Sequence, residues 1–324
     1  MKYGSIADLE KPISRLIMGT MIYSPGDMPL TCAMLDYFVS LGGNTLDTAH
    51  VYGQGDSERA VGEWMRLRGN RAEIVIIGKG AHHDAHGPRV NPAAIASDLE
   101  ESLQRLGTDY IDLYLLHRDD PTVPVDEIVT CLNEHYKAGR IRAFGGSNWS
   151  HQRIQEALDY AYAHGLVPFV ASSSNFSLAV MNEPPWPGAI SATIEGKDWY
   201  KEQQLPLLAW SSQAQGFFTG RAAPDNYSDA EMVRVWYNTG NFERLARASA
   251  LGKQKGVSAN TIALAYVLCQ PFPTFALIGP RTQEETRTSV QALEITLTRE
   301  ELQWLNLEDE KNLTEGTTIH YNRC

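Results

Sequence analysis

Asn44-Thr-Leu-Asp-Thr-Ala-His-Val-Tyr-Gly53 is the stretch on which the fold turns. Small and apolar residues lead into Asp47, and Tyr52 and Gly53 follow within a tight loop. The pattern is that of a buried strand that ends on a carboxylate and turns quickly into a phenol. Two further runs share this design. Ile74-Val-Ile-Ile-Gly-Lys79 ends on a lysine, and Ile111-Asp-Leu-Tyr-Leu-Leu-His117 ends on a histidine. Each polar residue is expected at the C-terminal end of its own predicted strand, and in a parallel barrel that gathers all four at one mouth.

Outward from these strands the chain alternates strand and helix patterns. Leu16-Ile-Met-Gly19 reads as a first strand, and residues 30–42 carry helical spacing that ends on Gly42-Gly43. Ser57 to Leu67 is amphipathic, with Asp56 or Ser57 as its N-cap. An irregular loop over 80–90 leads into Asn91-Pro92, an N-cap followed by proline at the first helical position. Ile95, Leu99, Leu103 and Leu106 then recur at three- and four-residue steps until Gly107. Further strands are predicted at 141–147, 169–174, 205–210 and 275–279, and helices at 128–138, 150–163, 241–256, 258–270 and 284–292. Such alternation implies a parallel sheet with right-handed crossovers. The expected fold is α/β, an eight-stranded (β/α)8 TIM barrel with long loops at its C-terminal mouth. Residues 178–204 break the rhythm, with several prolines, Trp186 and Trp199 and no clear period; a loop of that length is usually functional. Residues 297–307 read as a closing helix, followed by a loose polar end.

The 324 residues are expected to form a single domain, 1–324, because α/β barrels reach this size undivided and no linker interrupts the composition. A formal charge of −11 argues against nucleic acid as a partner. No apolar run has the length of a signal peptide core or a membrane span. Cys32, Cys131, Cys269 and Cys324 are far apart, a pattern of free thiols in a reducing compartment. A cytoplasmic protein without a membrane partner is expected.

Asp47, Tyr52, Lys79 and His117 stand in the order and spacing of a known tetrad, and the chain from about Leu16 to about Leu293 resembles the aldo-keto reductase family. Singly, an Asp/Lys pair is a salt bridge, a tyrosine a packed aromatic and a histidine a satisfied core residue. Four together at strand ends make chemistry. Carbonyl reduction needs a hydride donor and a proton donor on one carbon–oxygen bond. Without a cysteine–histidine cluster for a redox metal, the hydride has to come from an organic cofactor. Tyr52 is the candidate acid; its free pKa of roughly 10 is too high, and the Lys79 cation, held by Asp47, would lower it. His117 would orient the carbonyl or relay the proton.

The resemblance implies NADP(H) as cofactor, with NAD(H) as the alternative. It places Gly19, Thr20, Met21 and Asp47 beside the cofactor, Ser147 and Asn148 at the nicotinamide carboxamide, and Trp210 against the nicotinamide face. Ser172 or Ser173 stands where the family has a glutamine. The run Ser211-Ser-Gln-Ala-Gln-Gly216 resembles the loop over the pyrophosphate, with Ser211, Gln213, Gln215 and Gly216 as contacts. Ile278, Gly279, Pro280, Arg281 and Thr282, with Glu285 and Ser289, resemble the segment that grips an adenosine 2′-phosphate; Glu285 would oppose that grip. Tyr23, Tyr52, His83, His117 and Trp149, with Trp186, are the substrate-side candidates, for a small carbonyl compound, sugar or alcohol. The loop His82-His-Asp-Ala-His86 reads as solvated rather than as a metal site. The family implies a monomer or small homo-oligomer. Two competing readings are a cofactor-binding regulatory subunit and an aldolase-type Schiff base on Lys79, the latter opposed by Asp47, which keeps the lysine charged.

Overall fold

Eight parallel strands close into a barrel in the computed structural model, which describes residues 1–192 and 194–308. A short antiparallel pair comes first, β1 (Tyr3–Gly4) and β2 (Ile13–Ser14). The barrel strands are β3 (Leu16–Gly19), β4 (Thr45–Asp47), β5 (Val75–Gly80), β6 (Ile111–Leu116), β7 (Ile141–Ser147), β8 (Ser172–Ser173), β9 (Leu207–Ala209) and β10 (Thr274–Ile278). Each pairs with its successor and β10 returns to β3. Around them lie α1 (Met28–Ser40), α2 (Asp56–Arg68), α3 (Pro92–Leu106), α4 (Val125–Lys137), α5 (His151–Ala163) and α6 (Ile194–Gln203). The later helices are α7 (Ala230–Trp236), α8 (Thr239–Lys255), α9 (Ala259–Leu268), α10 (Gln283–Gln291) and α11 (Arg299–Leu305). Among the described residues no helix is long and apolar enough to cross a membrane.

Strand side chains alternate between two apolar clusters, as the two-residue period of a strand requires. One cluster fills the barrel with Ile17, Val75, Ile77, Leu113, Leu115, Ala143, Ala171, Leu208 and Phe275. The other, with Leu16, Met18, Leu46, Ile76, Tyr114 and Phe144, packs against the helices. Counting on by two from the interior set reaches Gly19, Lys79, His117, Ser147, Ser173 and Trp210, while Asp47 pairs in register with Gly19 and Ile77. The inward residues therefore change from apolar to polar as the strands approach the mouth.

The sequence signals explain the elements that carry them. Asn91 caps α3 by accepting from the Ala94 N–H at 3.0 Å, Pro92 follows, and Gly107 ends the helix at φ 63°. Ser150 caps α5 through the Arg153 N–H at 3.2 Å. Other expectations are corrected. Neither Asp56 nor Ser57 caps α2; the helix begins behind Gly55, and the Ser57 hydroxyl donates to the Thr20 carbonyl at 2.9 Å, tying α2 to the mouth. The interval 178–204 holds α6, where Gly196 and Tyr200 are the buried positions among those described, too few to show a period. The strand expected over 169–174 is hydrogen-bonded as a strand only at Ser172 and Ser173. The β1–β2 pair was not foreseen either. It packs Ile6 and Ile13 onto the base of the barrel, where a Cβ on Gly4 would meet the Phe275 ring at 2.8 Å. The loose end expected after Leu307 lies almost wholly outside the described residues, as does Cys324.

Candidate active site

At the mouth, Lys79 has three N–H donors and three acceptors. Its Nζ donates to Asp47 Oδ1 at 2.5 Å, to the Thr48 carbonyl at 3.0 Å and to the Tyr52 hydroxyl at 3.4 Å. Asp47 and Lys79 form an ion pair whose side chains are each 3% exposed. Burial works against the Lys79 ammonium, but Asp47 and Tyr52 together hold its pKa above the ordinary value. Lys79 is therefore a fixed cation and a poor nucleophile.

Tyr52 is delivered by backbone geometry that its sequence permits. Gly53 and Gln54 lie at φ 55° and 54°, and Gly55 at 90°, a left-handed run that turns the chain sharply into α2. A Cβ on Gly55 would meet the Arg105 guanidinium at 2.7 Å. The His117 ring stands edge-on to Tyr52 with centroids 5.6 Å apart, and its backbone N–H donates to the Gly80 carbonyl at 2.8 Å.

The expected lowering of the Tyr52 pKa is reversed. Burial pushes the phenol above its ordinary value and outweighs the pull of Lys79, whose charge is already matched by Asp47 at 2.5 Å. Tyr52 is thus protonated at neutral pH. Burial, followed by the Lys79 and Arg118 cations, holds His117 well below the usual imidazole range, so its ring is neutral. Stability should follow from that shift. Above the unfolded value of roughly 6.5 the ring is neutral in both states. Below it the unfolded chain takes up a proton that folded His117 refuses, so stability falls by up to about 1.4 kcal/mol per pH unit until the folded value is reached. Urea midpoints taken between pH 8 and 5 should therefore decline more steeply for the native chain than for His117→Asn; equal slopes would show that the histidine is not held neutral.

Around the tetrad the remaining candidates are unevenly placed. Asn148, at φ 59°, donates through its side-chain amide to the His117 carbonyl and to Ser147 Oγ, each at 3.2 Å. Ser173 faces the barrel interior and donates to the Leu208 carbonyl at 3.0 Å, whereas Ser172 faces α6 and accepts from the Tyr200 hydroxyl at 2.7 Å. Gly19 and Thr20 lie at the end of β3, Thr20 buried with its hydroxyl donating to the Asp47 carbonyl at 2.9 Å, and Met21 is exposed. Trp210 packs on Trp186 with centroids 5.8 Å apart.

Ser211, Ala214, Gln215 and Gly216 take φ values of 49°, 47°, 52° and 88°, in a tight loop where the Ala214 N–H donates to the Ser211 carbonyl at 2.8 Å and the Gly216 N–H to the Gln213 carbonyl at 2.9 Å. The Ser212 hydroxyl donates to the Leu277 carbonyl at 2.6 Å, and the Gln215 side chain accepts from Trp236 Nε1 at 2.9 Å. The Glu285 carboxylate is turned onto the Arg281 backbone N–H at 2.6 Å, while Thr282 caps α10. No carboxylate lies within ion-pair distance of the Arg281 side chain among the described residues. Ser289 donates back to the Glu285 carbonyl at 2.9 Å.

Of the substrate candidates, His83 lines a cavity of about 290 Å³ with Arg89, Arg118, Pro187 and Gly188. Tyr23 and Trp149 are not brought to it. Tyr23 is 2% exposed with its hydroxyl on Met18 Sδ at 3.6 Å; Trp149 is 1% exposed and donates to the Arg118 carbonyl at 3.1 Å. His82, which the sequence places in a solvated loop, and Arg118 also stand near this mouth without being site candidates on sequence grounds. His82 stands 4.8 Å from the His117 ring and 4.2 Å from that of His83. Each adjoins a residue already singled out, which was the available signal.

Three buried polar atoms at this mouth lack a partner among the described residues: Asp47 Oδ2, His117 Nδ1 and Trp210 Nε1. With the left-handed run at 211–216 they fit a bound nicotinamide dinucleotide, since buried polar groups are ordinarily satisfied.

Comparison with known proteins agrees with the geometry. The Aldo/keto reductase family profile matches residues 15–306. The uncharacterised oxidoreductase YrpG of Bacillus subtilis is 29% identical over 319 residues, spanning 94% of this chain and 95% of its own. A norsolorinic acid reductase of Aspergillus flavus is 30% identical over 308 residues, 90% of this chain and 76% of its own. The crystal structure of the thermostable aldo-keto reductase Tm1743 with the inhibitor epalrestat superposes with a TM-score of 0.74 at 22% identity, covering 95% of this chain and 99% of its own, a likeness of fold.

Proposed function

The chain belongs to the aldo/keto reductase family, and from that premise we propose that it reduces an aldehyde or ketone, or oxidises the matching alcohol or sugar, with NADP(H). The observation that carries the reading is the closed set of contacts at Lys79, which fixes a protonated phenol beside a neutral imidazole at the barrel mouth. A bound nicotinamide would supply or accept the hydride. The chain supplies the rest. Tyr52 donates its hydroxyl proton to the carbonyl oxygen as the alkoxide develops, and the Lys79 ammonium stabilises the phenolate left behind. His117, neutral, directs the carbonyl oxygen toward Tyr52 through a ring N–H. Asp47 keeps Lys79 charged and in place.

On the cofactor side, Ser147, Asn148 and Ser173 would meet the carboxamide, with Ser172 committed to Tyr200 behind the strand. Trp210 would stack on the ring. The backbone of residues 211–216 would cradle the pyrophosphate, and Arg281 would grip the 2′-phosphate. The tie between Glu285 and the Arg281 N–H directs that carboxylate to the backbone, which supports NADPH over NADH. Two relatives carry names of the same chemistry, the norsolorinic acid reductase and an aryl-alcohol dehydrogenase of Pestalotiopsis microspora. A cytoplasmic monomer or small homo-oligomer is the setting proposed.

The test is titration with NADPH and NADH by tryptophan fluorescence, followed by a screen of aldehydes and ketones. Arg281→Ala should weaken NADPH binding about 10–100-fold, the worth of a charge-assisted hydrogen bond, and leave NADH unchanged. Equal loss for both cofactors would place Arg281 away from the 2′-phosphate, and no binding of either would sink the reductase reading.

A further inference from the structure

Arg118 follows His117 at the mouth end of β6 and is 8% exposed. Its Nη1 donates to the His117 carbonyl at 2.8 Å and its Nε to the Pro187 carbonyl at 3.2 Å. Nη2 has no acceptor, and no carboxylate lies within 4.0 Å of the guanidinium among the described residues. Its neighbours at the mouth differ. Arg89 is paired with Asp98 at 2.6 Å, Arg105 with Glu58 at 3.2 Å and Arg153 with Asp119 at 3.4 Å. A buried cation without a counter-ion is costly, and burial pulls the Arg118 pKa down from its ordinary value.

Arg118 lines the cavity of about 290 Å³, whose wall includes no member of the tetrad and reaches it only through the ring chain His83, His82 and His117. Two carboxylates, Asp84 and Asp119, also line that cavity. Both are engaged, Asp84 with Arg89 at 3.6 Å and Asp119 with Arg153 at 3.4 Å. His83 shares the lining, and its ring lies against His82, which faces His117. The backbone of Gly188, at φ 71°, lies so close that a Cβ there would meet Arg118 Cδ at 3.2 Å. The loop thus presses on the stem of the side chain and leaves its far end to the cavity.

We propose that Arg118, with His83 beside it, is an anion-recognition site, and that the carbonyl substrate carries a carboxylate or phosphate that reaches this cavity while its carbonyl lies against Tyr52. This rests on the reductase reading above and names its substrate class. The missing counter-ion arrives with the substrate. A planar guanidinium with a free edge suits either anion.

The experiment compares matched substrates with NADPH: 4-formylbenzoate against its methyl ester, and glyceraldehyde 3-phosphate against glyceraldehyde. In the native enzyme at least one charged member should exceed its neutral mate in kcat/KM by about tenfold or more, chiefly through KM. Which pair shows the preference tells carboxylate from phosphate. Arg118→Gln should bring that ratio to near unity, and Arg118→Lys should restore part of it, which guards against a variant that merely folds poorly. Calorimetric titration with benzoate and with inorganic phosphate gives a readout independent of turnover. Ratios near unity in the native enzyme, or ratios untouched by both substitutions, overturn the anion site while the reductase reading stands. Binding that needs Arg118, without reduction of any carbonyl, removes the reductase reading and keeps the anion site.

Discussion

Tyr52→Phe is expected to lower kcat for carbonyl reduction by about 10²–10⁴-fold, the usual worth of a positioned general acid. The substitution removes one oxygen. The ring keeps its edge contact with His117, and Lys79 keeps Asp47 and the Thr48 carbonyl. NADPH affinity and melting temperature should therefore be unaltered, which separates lost chemistry from lost structure. The native enzyme should show a reduction rate that is flat through neutral pH and falls only in the alkaline range, where the phenol loses its proton. The sign follows from the burial that holds Tyr52 above its ordinary value. A loss smaller than about tenfold on Tyr52→Phe, or a rate that falls as pH rises through roughly 6.5, would transfer the role of acid to a histidine.

Lys79→Met should be the most destabilising single change at the site. It leaves the Asp47 carboxylate, 3% exposed, without the cation at 2.5 Å. Removing one partner of a buried ion pair costs about 3–5 kcal/mol, because the other charge stays buried and uncompensated. Activity should vanish with it, since the phenolate left by proton transfer loses its neighbouring charge. Two effects are joined here and equilibrium unfolding separates them. The double variant Asp47→Asn/Lys79→Met removes both charges and should regain most of the lost stability while remaining inactive. Destabilisation that simply adds between the two single variants would mean that the pair is not coupled.

How far the sequence could be read depended on the length of the signal. Helix α3 repeats its apolar stripe over four turns and carries a cap at each end, so it was legible almost to the residue. The tetrad was legible because a polar residue that closes a β-branched run contributes little to packing and stands where inward side chains meet solvent. Shorter elements have no room for a period. The β1–β2 pair offers two residues a strand, and α7 only seven residues in all. The alternation of Ser172 and Ser173 was hidden by identity, since three successive serines show no face, and only Tyr200 bonding to one of them tells outside from inside. The direction of the Tyr52 shift was misjudged because spacing reveals which charges meet and says nothing of how dry their surroundings are. Arg118 adjoins a predicted residue, yet what sets it apart is the lack of a carboxylate partner among the described residues, and an absence of that kind exists only in three dimensions.

The base of the barrel has a consequence for traffic. Side chains from Ile17 to Phe275 fill the interior, and the N-terminal hairpin stoppers the end away from the tetrad. Among the described residues that end is packed shut by apolar side chains. Under the proposed reaction, carrier and product alike would exchange at the tetrad's end, and the segment holding Trp186, Pro187 and Ile190 lies there, touching Trp210, Arg118 and Asn148. Arrival and departure there would then become a queue, in which a molecule seated deeper would leave last.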